Sequence, residues 1–187
     1  IMTHKKIIPD YIFEVSWEIC NKVGGIHTVI STKSVELQNK CNKKLLLIGP
    51  DTWRDTKAHP EFVEDKNLFK EWKTKGESEG LRFRTGYWDI PGRPLVVLVD
   101  FTNFINQKDE ILFKFWEDYR LDSISGQWDY IEPALFGYAS GKLIESFTNF
   151  YTSVHDKIIA HFNEWMTGTG ILYLKKQMPQ IATAFTT

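Results

Sequence analysis

Residues 11–30 read YIFEVSWEICNKVGGIHTVI, and this stretch decides the fold class. Its first part, residues 11–17, is rich in aromatic and β-branched residues and predicts a strand. Gly24 and Gly25 end that run. The apolar residues that follow recur at helical spacing, at Ile26, Val29, Ile30 and Leu37. The stretch therefore predicts a strand, a glycine-containing turn and a helix.

The rest of the chain repeats this alternation. Residues 45–48 are all apolar, which is typical of a strand buried on both faces of a parallel sheet. Further strands are predicted at residues 81–88, 94–101, 157–161 and 181–185. Helices are predicted near residues 65–75 and at residues 109–119, 131–151 and 164–176. The sequence therefore predicts an α/β fold with a doubly wound, mostly parallel sheet.

A single domain is expected, because no repeat, linker or low-complexity tract divides the chain. Its 187 residues are enough for one α/β domain but short for two. Residues 180–187 are predicted to form a core strand, with no loop or helix after it. We therefore expect residues 1–187 to be a truncated fragment of a longer protein.

Composition and charge argue against several classes of partner. Hydrophobic residues make up 42% and charged residues 25%, as in an ordinary globular domain. The formal net charge of −1 gives no general electrostatic reason to bind nucleic acid or an anionic membrane surface. The longest apolar run, Leu95–Val99, is far shorter than the roughly 20 residues of a membrane-spanning helix. We therefore expect neither nucleic acid nor a membrane as a partner.

The two cysteines, Cys20 and Cys41, are too few for a disulfide framework. Two reduced thiols are expected, and a single disulfide between them stays open as the alternative. No Cys/His spacing resembles a zinc site, so no metal is expected.

The first candidate site follows the first strand, because ligands of open parallel sheets bind beyond the carboxyl ends of strands. Gly24 and Gly25 would let the backbone approach a ligand, and the first helical turn offers unpaired amides. Lys22 adds a positive charge, so this segment suits a phosphate or diphosphate. Its letters match neither Gly-x-Gly-x-x-Gly nor the P-loop pattern. The alternative is a plain tight turn beside a solvated lysine.

The second candidate site is residues 161–165, after a strand predicted to end at His161. His161 either bonds a sugar hydroxyl near a reacting centre or is a satisfied core histidine. Asn163 either joins it or caps the following helix. Glu164 either acts nearby or complements the dipole of that helix from its first turn. Trp165 is expected in the core rather than as a platform for a sugar ring.

Aromatic residues make up 14% of the chain, and several flank a predicted loop: Trp116, Tyr119, Trp128 and Tyr130. Flat aromatic faces stack on sugar rings, but they also fill cores. Asp129 and Glu132 either accept hydrogen bonds from sugar hydroxyls or are simply solvated. A non-catalytic glucan-binding module is therefore an alternative function. A nucleotide-dependent oxidoreductase is disfavoured, because the Gly-x-Gly-x-x-Gly pattern is missing.

Several blocks of sequence carry a family pattern in order. They read FEVSWE at residues 13–18, NKVGGIHTV at residues 21–29 and AHFNEW at residues 160–165. Shorter matching blocks lie at residues 47–50, 94–98, 135–137 and 185–187. Over nearly all of its length, the chain resembles the N-terminal part of the eukaryotic-type glycogen synthases.

The resemblance implies a retaining glycosyltransferase of the GT-B type, with the active site in a cleft between two Rossmann-like domains. The chain would be the N-terminal domain, without the C-terminal nucleotide-binding domain, and inactive alone. Such enzymes transfer glucose from a nucleotide diphosphate sugar, UDP-glucose in the eukaryotic type, to the non-reducing 4-hydroxyl end of an α-1,4-glucan such as glycogen. The resemblance also implies a cytoplasmic protein with no cofactor, and it leaves a homo-oligomer of the full-length protein open.

The resemblance also assigns roles to the first candidate site. Lys22, Gly24 and Gly25 match the family's lysine–glycine loop, which faces the donor diphosphate and glucose. The chain departs from the animal enzymes at residues 51–80 and 107–128, which concern the acceptor surface more than the donor site.

In the second candidate site, His161 matches the histidine that contacts the donor glucose near the reacting carbon. It is therefore the expected catalytic residue. Glu164 matches a nearby acidic position of unassigned role, and Asn163 stands where the animal enzymes have histidine.

Overall fold

A computed structural model describes residues 7–41, 44–56 and 58–187, and its centre is one β-sheet. Among these residues seven strands form the sheet: β1 (Tyr11–Val15), β2 (Leu45–Pro50), β3 (Phe62–Glu64), β4 (Phe83–Trp88), β5 (Leu95–Val99), β6 (Ile158–Asn163) and β7 (Ala182–Thr186). Their order across the sheet is β3-β4-β5-β2-β1-β6-β7. From β5 to β7 every neighbouring pair is parallel, while β4 runs antiparallel to β3 and β5. This topology confirms the predicted α/β class with a mostly parallel sheet.

Helices cover both faces of the sheet. They are α1 (Ile26–Lys40), α2 (Lys70–Ser78), α3 (Lys108–Tyr119), α4 (Trp128–Tyr151) and α5 (Gly168–Gln177), with short 3-10 helices at Phe101–Gln107 and Trp165–Thr167. The larger core lies on the α4 side and the smaller core on the α1 side. The sheet is therefore doubly wound, as expected.

The uninterrupted run of apolar residues in β2 is explained by burial on both faces of the sheet. Every residue of this strand is buried. Leu46 belongs to the larger core, whereas Leu47 belongs to the smaller core with Ile30 of α1. In β1 the same alternation puts Ile12 in the smaller core, so Glu14, two residues later, faces the α1 side as well.

Several predicted boundaries shift by a few residues. β1 ends at Val15, before the predicted end, because Ser16 begins a turn in which its hydroxyl accepts the amide hydrogen of Glu18. The helix predicted near residues 65–75 is α2, Lys70–Ser78. β3 lies outside the sequence predictions. The strand predicted at residues 94–101 is β5 and ends at Val99, because a 3-10 helix that was not predicted begins at Phe101.

The carboxyl end of the sheet also differs from the prediction. β6 continues to Asn163, so His161 lies within the strand rather than at its end. The following helix, α5, begins only at Gly168, because a 3-10 turn comes first. The prediction that residues 180–187 form a core strand is wrong, because β7 pairs with β6 at the sheet edge and most of its residues are exposed.

α4 and α5 approach each other backbone to backbone. A Cβ added at Gly137 of α4 would lie 2.2 Å from the hydroxyl of Thr169 and 3.0 Å from the amide nitrogen of Gly170. A Cβ added at Gly170 of α5 would lie 2.6 Å from the carbonyl oxygen of Gly137 and 2.4 Å from the ring of Phe162. Both positions therefore need glycine for close packing rather than for backbone conformation.

The two cysteines are free and buried. Burial raises the pKa of both the Cys20 and the Cys41 thiol, which keeps them protonated and unreactive. In the parts of the chain that the structure describes, no helix is both long and apolar enough to cross a bilayer.

Candidate functional site

The β1–α1 connection, residues 16–25, folds around the buried carboxylate of Glu18. Its Oε2 accepts the amide hydrogens of Gly24 at 2.6 Å, His27 at 3.2 Å and Val23 at 3.4 Å. The amides at a helix N-terminus favour an anion, and here the protein supplies one itself. The expectation that the amides of this turn are unpaired is therefore wrong for these three.

The two glycines of this connection face different surroundings. A Cβ at Gly24 would lie 3.2 Å from Glu18 Oε1, whereas a Cβ at Gly25 would meet nothing within 4 Å. Among the described residues, no group accepts a hydrogen bond from the amides of Gly25 and Ile26. Lys22 is exposed beside them. These two amides and the ammonium group of Lys22 are therefore available to a ligand at this turn.

His161 lies on β6 opposite Glu14 of β1. Its Nδ1 is 3.0 Å from Glu14 Oε1, and its Nε2 is 2.7 Å from the hydroxyl of Thr186 on β7. Lys33 of α1 places its Nζ 3.0 Å from Glu14 Oε2 and 3.1 Å from His161 Nδ1. The His161 side chain is 18% exposed, so it has partners on both ring nitrogens but stays at the edge of the core.

Glu14 is the buried centre of this network, with 2% of the residue exposed. Asn163 donates from Nδ2 to Glu14 Oε2 at 3.0 Å and to the carbonyl of Val15 at 3.1 Å. Burial raises the pKa of the Glu14 carboxyl, but the hydrogen bond to His161 and the charge of Lys33 outweigh burial, so the pKa lies below its usual value. Glu14 is therefore ionised at neutral pH. Asn163 donates to this carboxylate and does not cap the following helix, so the capping alternative is wrong.

Glu164 has an unusual backbone conformation, with φ 69° and ψ 158°. Residues other than glycine rarely occupy this region, at a cost of about 1–3 kcal/mol. Its amide donates to the carbonyl of Thr186 at 2.7 Å, and its carbonyl accepts from the amide of Thr167 at 3.2 Å. Its side chain makes no capping hydrogen bond and precedes the 3-10 turn. The alternative that places it in the first turn of the helix is therefore wrong.

The two candidate segments lie side by side at the carboxyl end of the sheet, because β1 and β6 are parallel neighbours. Among the described residues, no hydrogen bond joins Lys22, Gly24 or Gly25 directly to His161. The link between the segments is α1, which begins right after Gly25 and carries Lys33 to the Glu14–His161 pair. Asn163 joins His161 through Glu14.

The sequence predictions do not include three residues that the structure places in the candidate site: Glu14, Glu18 and Lys33. Glu14 carries a usable signal, because it is the one charged letter in the apolar run YIFEV and a buried charge needs partners. Glu18 and Lys33 carry no such signal, since their partners are set by the fold of the connection and by helix packing.

Three aromatic residues line an apolar pocket beside α5: Tyr130, Trp165 and Phe185. The pocket has a volume of about 410 Å³ and is lined by Leu121, Tyr130, Pro133, Ala134, Trp165, Gly168, Thr169, Ile171, Leu172 and Phe185. The expectation that Trp165 is a core residue is wrong, because it is 56% exposed. Trp116, Tyr119 and Trp128 are also exposed, as are Asp129 and Glu132 on α4.

Within residues 7–41, 44–56 and 58–187, no three His, Cys, Asp or Glu side chains cluster as a metal site would require.

Sequence comparison identifies the family. A family model described as glycogen synthase matches residues 14–187. The chain belongs to the glycogen synthase family.

Curated relatives of the glycogen synthase family match most of the chain. The liver glycogen [starch] synthase of Rattus norvegicus is 32% identical over 177 residues, which cover 94% of this chain and 25% of the rat protein. The glycogen [starch] synthase of Dictyostelium discoideum is 30% identical over 186 residues, which cover 94% of this chain and 20% of that protein. The chain therefore spans about a quarter or less of these glycogen synthases.

A solved structure also matches, the catalytic domain of Starch Synthase IV from Arabidopsis thaliana bound to ADP and acarbose. Its TM-score is 0.49 at 18% identity, with 94% of this chain and 33% of that chain covered.

Proposed function

We propose that the full-length protein transfers glucose, with retention, from UDP-glucose to the non-reducing 4-hydroxyl end of an α-1,4-glucan. Residues 1–187 would be its N-terminal Rossmann-like domain in a GT-B arrangement, inactive alone, in a cytoplasmic protein. Membership in the glycogen synthase family is the observation that carries the proposal. The open Lys22–Gly25 turn supports it, because this turn offers positive charge and free amides at a strand's carboxyl end.

Glucose transfer develops charge on two groups that would lie at this end of the sheet, the leaving phosphate and the sugar. Breaking the bond to diphosphate adds negative charge to the leaving phosphate and leaves an oxocarbenium-like sugar. Fixed donors aimed at that developing charge stabilise the transition state without reorganising. Lys22 and the amides of Gly25 and Ile26 would supply such donors. Gly24 would contribute indirectly, since its amide holds Glu18 at 2.6 Å and so shapes the turn.

On the β6 side, His161 is the proposed sugar contact. Its Nε2 currently faces the hydroxyl of Thr186, a group of the same kind as a sugar hydroxyl. Glu164 follows three residues later with a side chain free of capping bonds, so it is a second, weaker candidate for a ligand contact.

The test replaces Lys22 or His161 with Ala in the full-length protein and measures glucose transfer from UDP-glucose to glycogen. Loss of one fixed donor to the leaving group costs about 3 kcal/mol, so Lys22→Ala should lower kcat by roughly a hundredfold. Lys40→Ala is the matched control, because it removes an exposed lysine of α1 that is 3.8 Å from Glu36. Near-wild-type turnover of both site variants would contradict the assignment.

A glucan-binding module remains the second candidate, because Trp128 and Trp165 are both more than half exposed. Affinity electrophoresis of this chain in a glycogen-containing gel separates the two functions. Strong retardation favours a binding module, whereas migration unchanged by glycogen favours half of a catalytic cleft.

A further inference from the structure

We infer that Glu14 is a positioning residue that fixes the proton of neutral His161 on Nδ1, so that Nε2 is presented as a hydrogen-bond acceptor. Nε2 would accept a hydrogen bond from a hydroxyl of the glucose that the nucleotide diphosphate sugar carries. The second part of this inference rests on the proposed function, whereas the first part concerns the chain alone.

The contact with Glu14 favours a proton on Nδ1. Glu14 Oε1 lies 3.0 Å from His161 Nδ1, and an ionised carboxylate can only accept hydrogen bonds. A lone pair on Nδ1 would face that carboxylate without a proton between them. With the proton on Nδ1, the contact is a charge-assisted hydrogen bond.

Glu14 is held in the required state from three sides. Lys33 of α1 lies 3.0 Å from its Oε2, Asn163 donates to the same oxygen at 3.0 Å, and the residue is buried. The lowered pKa of Glu14 agrees with a carboxylate that stays ionised. Glu14 can therefore neither donate a proton to His161 nor turn away without depriving both Lys33 and Asn163 of an acceptor.

Lys33 is the competing partner of Nδ1. Its Nζ lies 3.1 Å from that nitrogen and can only donate, which would require a lone pair on Nδ1. Glu14 and Lys33 therefore favour opposite tautomers. Lys33 already has Glu14 Oε2 as an acceptor and does not need Nδ1. The carboxylate therefore determines the tautomer, with the proton on Nδ1.

The consequence lies at the other ring nitrogen. A proton on Nδ1 leaves a lone pair on Nε2 of the neutral ring, and the hydroxyl of Thr186 lies 2.7 Å away as its donor. A sugar hydroxyl can take the place of that hydroxyl with the same polarity. His161 would therefore select a ligand that carries a hydroxyl, and not one that carries only an acceptor.

The decisive measurement is ¹⁵N NMR of the imidazole nitrogens in the full-length protein, with labelled histidines in alkaline buffer. His161→Gln identifies the signals by their loss. The wild-type protein should show a protonated Nδ1 and an unprotonated Nε2. In Glu14→Met, Lys33 loses its acceptor and donates to Nδ1, so the proton should move to Nε2.

Two matched variants separate this effect from general perturbation. Thr186→Val removes the partner of Nε2, and Lys33→Met removes the competing donor, so both should keep the proton on Nδ1. A wild-type protein with the proton on Nε2, or a Glu14→Met protein that keeps it on Nδ1, would overturn the inference. Even if Glu14→Met does not fold, the wild-type spectrum can still overturn the inference, because a proton on Nε2 contradicts it.

Transfer assays test the second part. Wild-type kcat/KM should drop about tenfold for the monodeoxy UDP-glucose analogue that lacks the contacted hydroxyl, and in Glu14→Met this difference should disappear. Persistence of the full difference in Glu14→Met would contradict the role. A wild-type protein without transferase activity would refute the proposed function, while the NMR result would still decide the tautomer.

Discussion

The β1–α1 connection and the β6–α5 connection, residues 164–167, lie at the same edge of the sheet but leave different groups available. In the first, the carboxylate of Glu18 binds three backbone amides, and what remains open is backbone and an exposed lysine. At the second, the side chains of His161 and Asn163 on the preceding strand β6 are already paired, and the backbone of Glu164 is strained.

The two connections are therefore preorganised in different ways. The β1–α1 connection keeps its shape without a ligand, because Glu18 takes the place that an anion would otherwise fill. The β6 side holds its polar groups in fixed directions through a buried charge. In the proposed function, the first arrangement would offer donors to a diphosphate, and the second would orient one ring toward a sugar.

The largest effect is expected when Glu18 is replaced with Ala. Three amides lose an ionic acceptor, so the free energy of unfolding should fall by about 2 kcal/mol. Denaturant unfolding of both proteins measures the change. Glu36→Ala is the control, because its exposed carboxylate pairs weakly with Lys40 and should alter stability by less than about 0.5 kcal/mol. Equal effects of the two variants would mean that Glu18 does not organise the turn.

An effect of opposite sign is expected at Glu164. Glycine adopts its φ and ψ without strain, so Glu164→Gly should raise the free energy of unfolding by about 1 kcal/mol after the loss of chain entropy. Thermal and denaturant unfolding measure it. Glu117→Gly, in the exposed part of α3, should instead lower stability by about 1 kcal/mol. A Glu164→Gly protein that is less stable than wild type would contradict the strain at this position.

The smallest effect on stability is expected at Gly25. Its backbone is helical, with φ −75° and ψ −24°, and a Cβ would meet no atom within 4 Å. Gly25→Ala should therefore change the free energy of unfolding by less than about 0.5 kcal/mol. The added methyl would occupy the space proposed for diphosphate, so UDP should bind the full-length variant about tenfold more weakly by calorimetry.

Gly24→Ala provides the contrast, because its Cβ would lie 3.2 Å from Glu18 Oε1 and would disturb the turn itself. Unchanged UDP affinity in Gly25→Ala would show that the diphosphate does not lie against this residue.

Much of the fold could be predicted from local letters, because the central strands are continuous apolar runs and the turn after β1 contains two glycines. β3 could not be predicted, since a three-residue strand owes its existence to its antiparallel partner β4. The exposure of β7 also depends on tertiary structure, because an apolar-rich strand looks the same in sequence at the centre and at the edge of a sheet.

The candidate site was predicted less completely than the fold. The sequence indicated Lys22, Gly24, Gly25 and His161 near predicted strand ends, but it gave no partner for any of them. The pairing of Glu14 with His161 joins residues 147 positions apart, and it follows from the parallel register of β1 and β6. Such a pairing becomes visible only once the strand order is known.

The glycine contact between α4 and α5 has a consequence for motion at this edge. A Cβ added at Gly170 would reach both the carbonyl oxygen of Gly137 and the ring of Phe162, so α4, α5 and β6 approach one another closely at this position. His161 precedes Phe162 directly, so a shift of its backbone would also press Phe162 against Gly170. We therefore expect this histidine to adjust to an incoming molecule mainly by rotation of its own side chain.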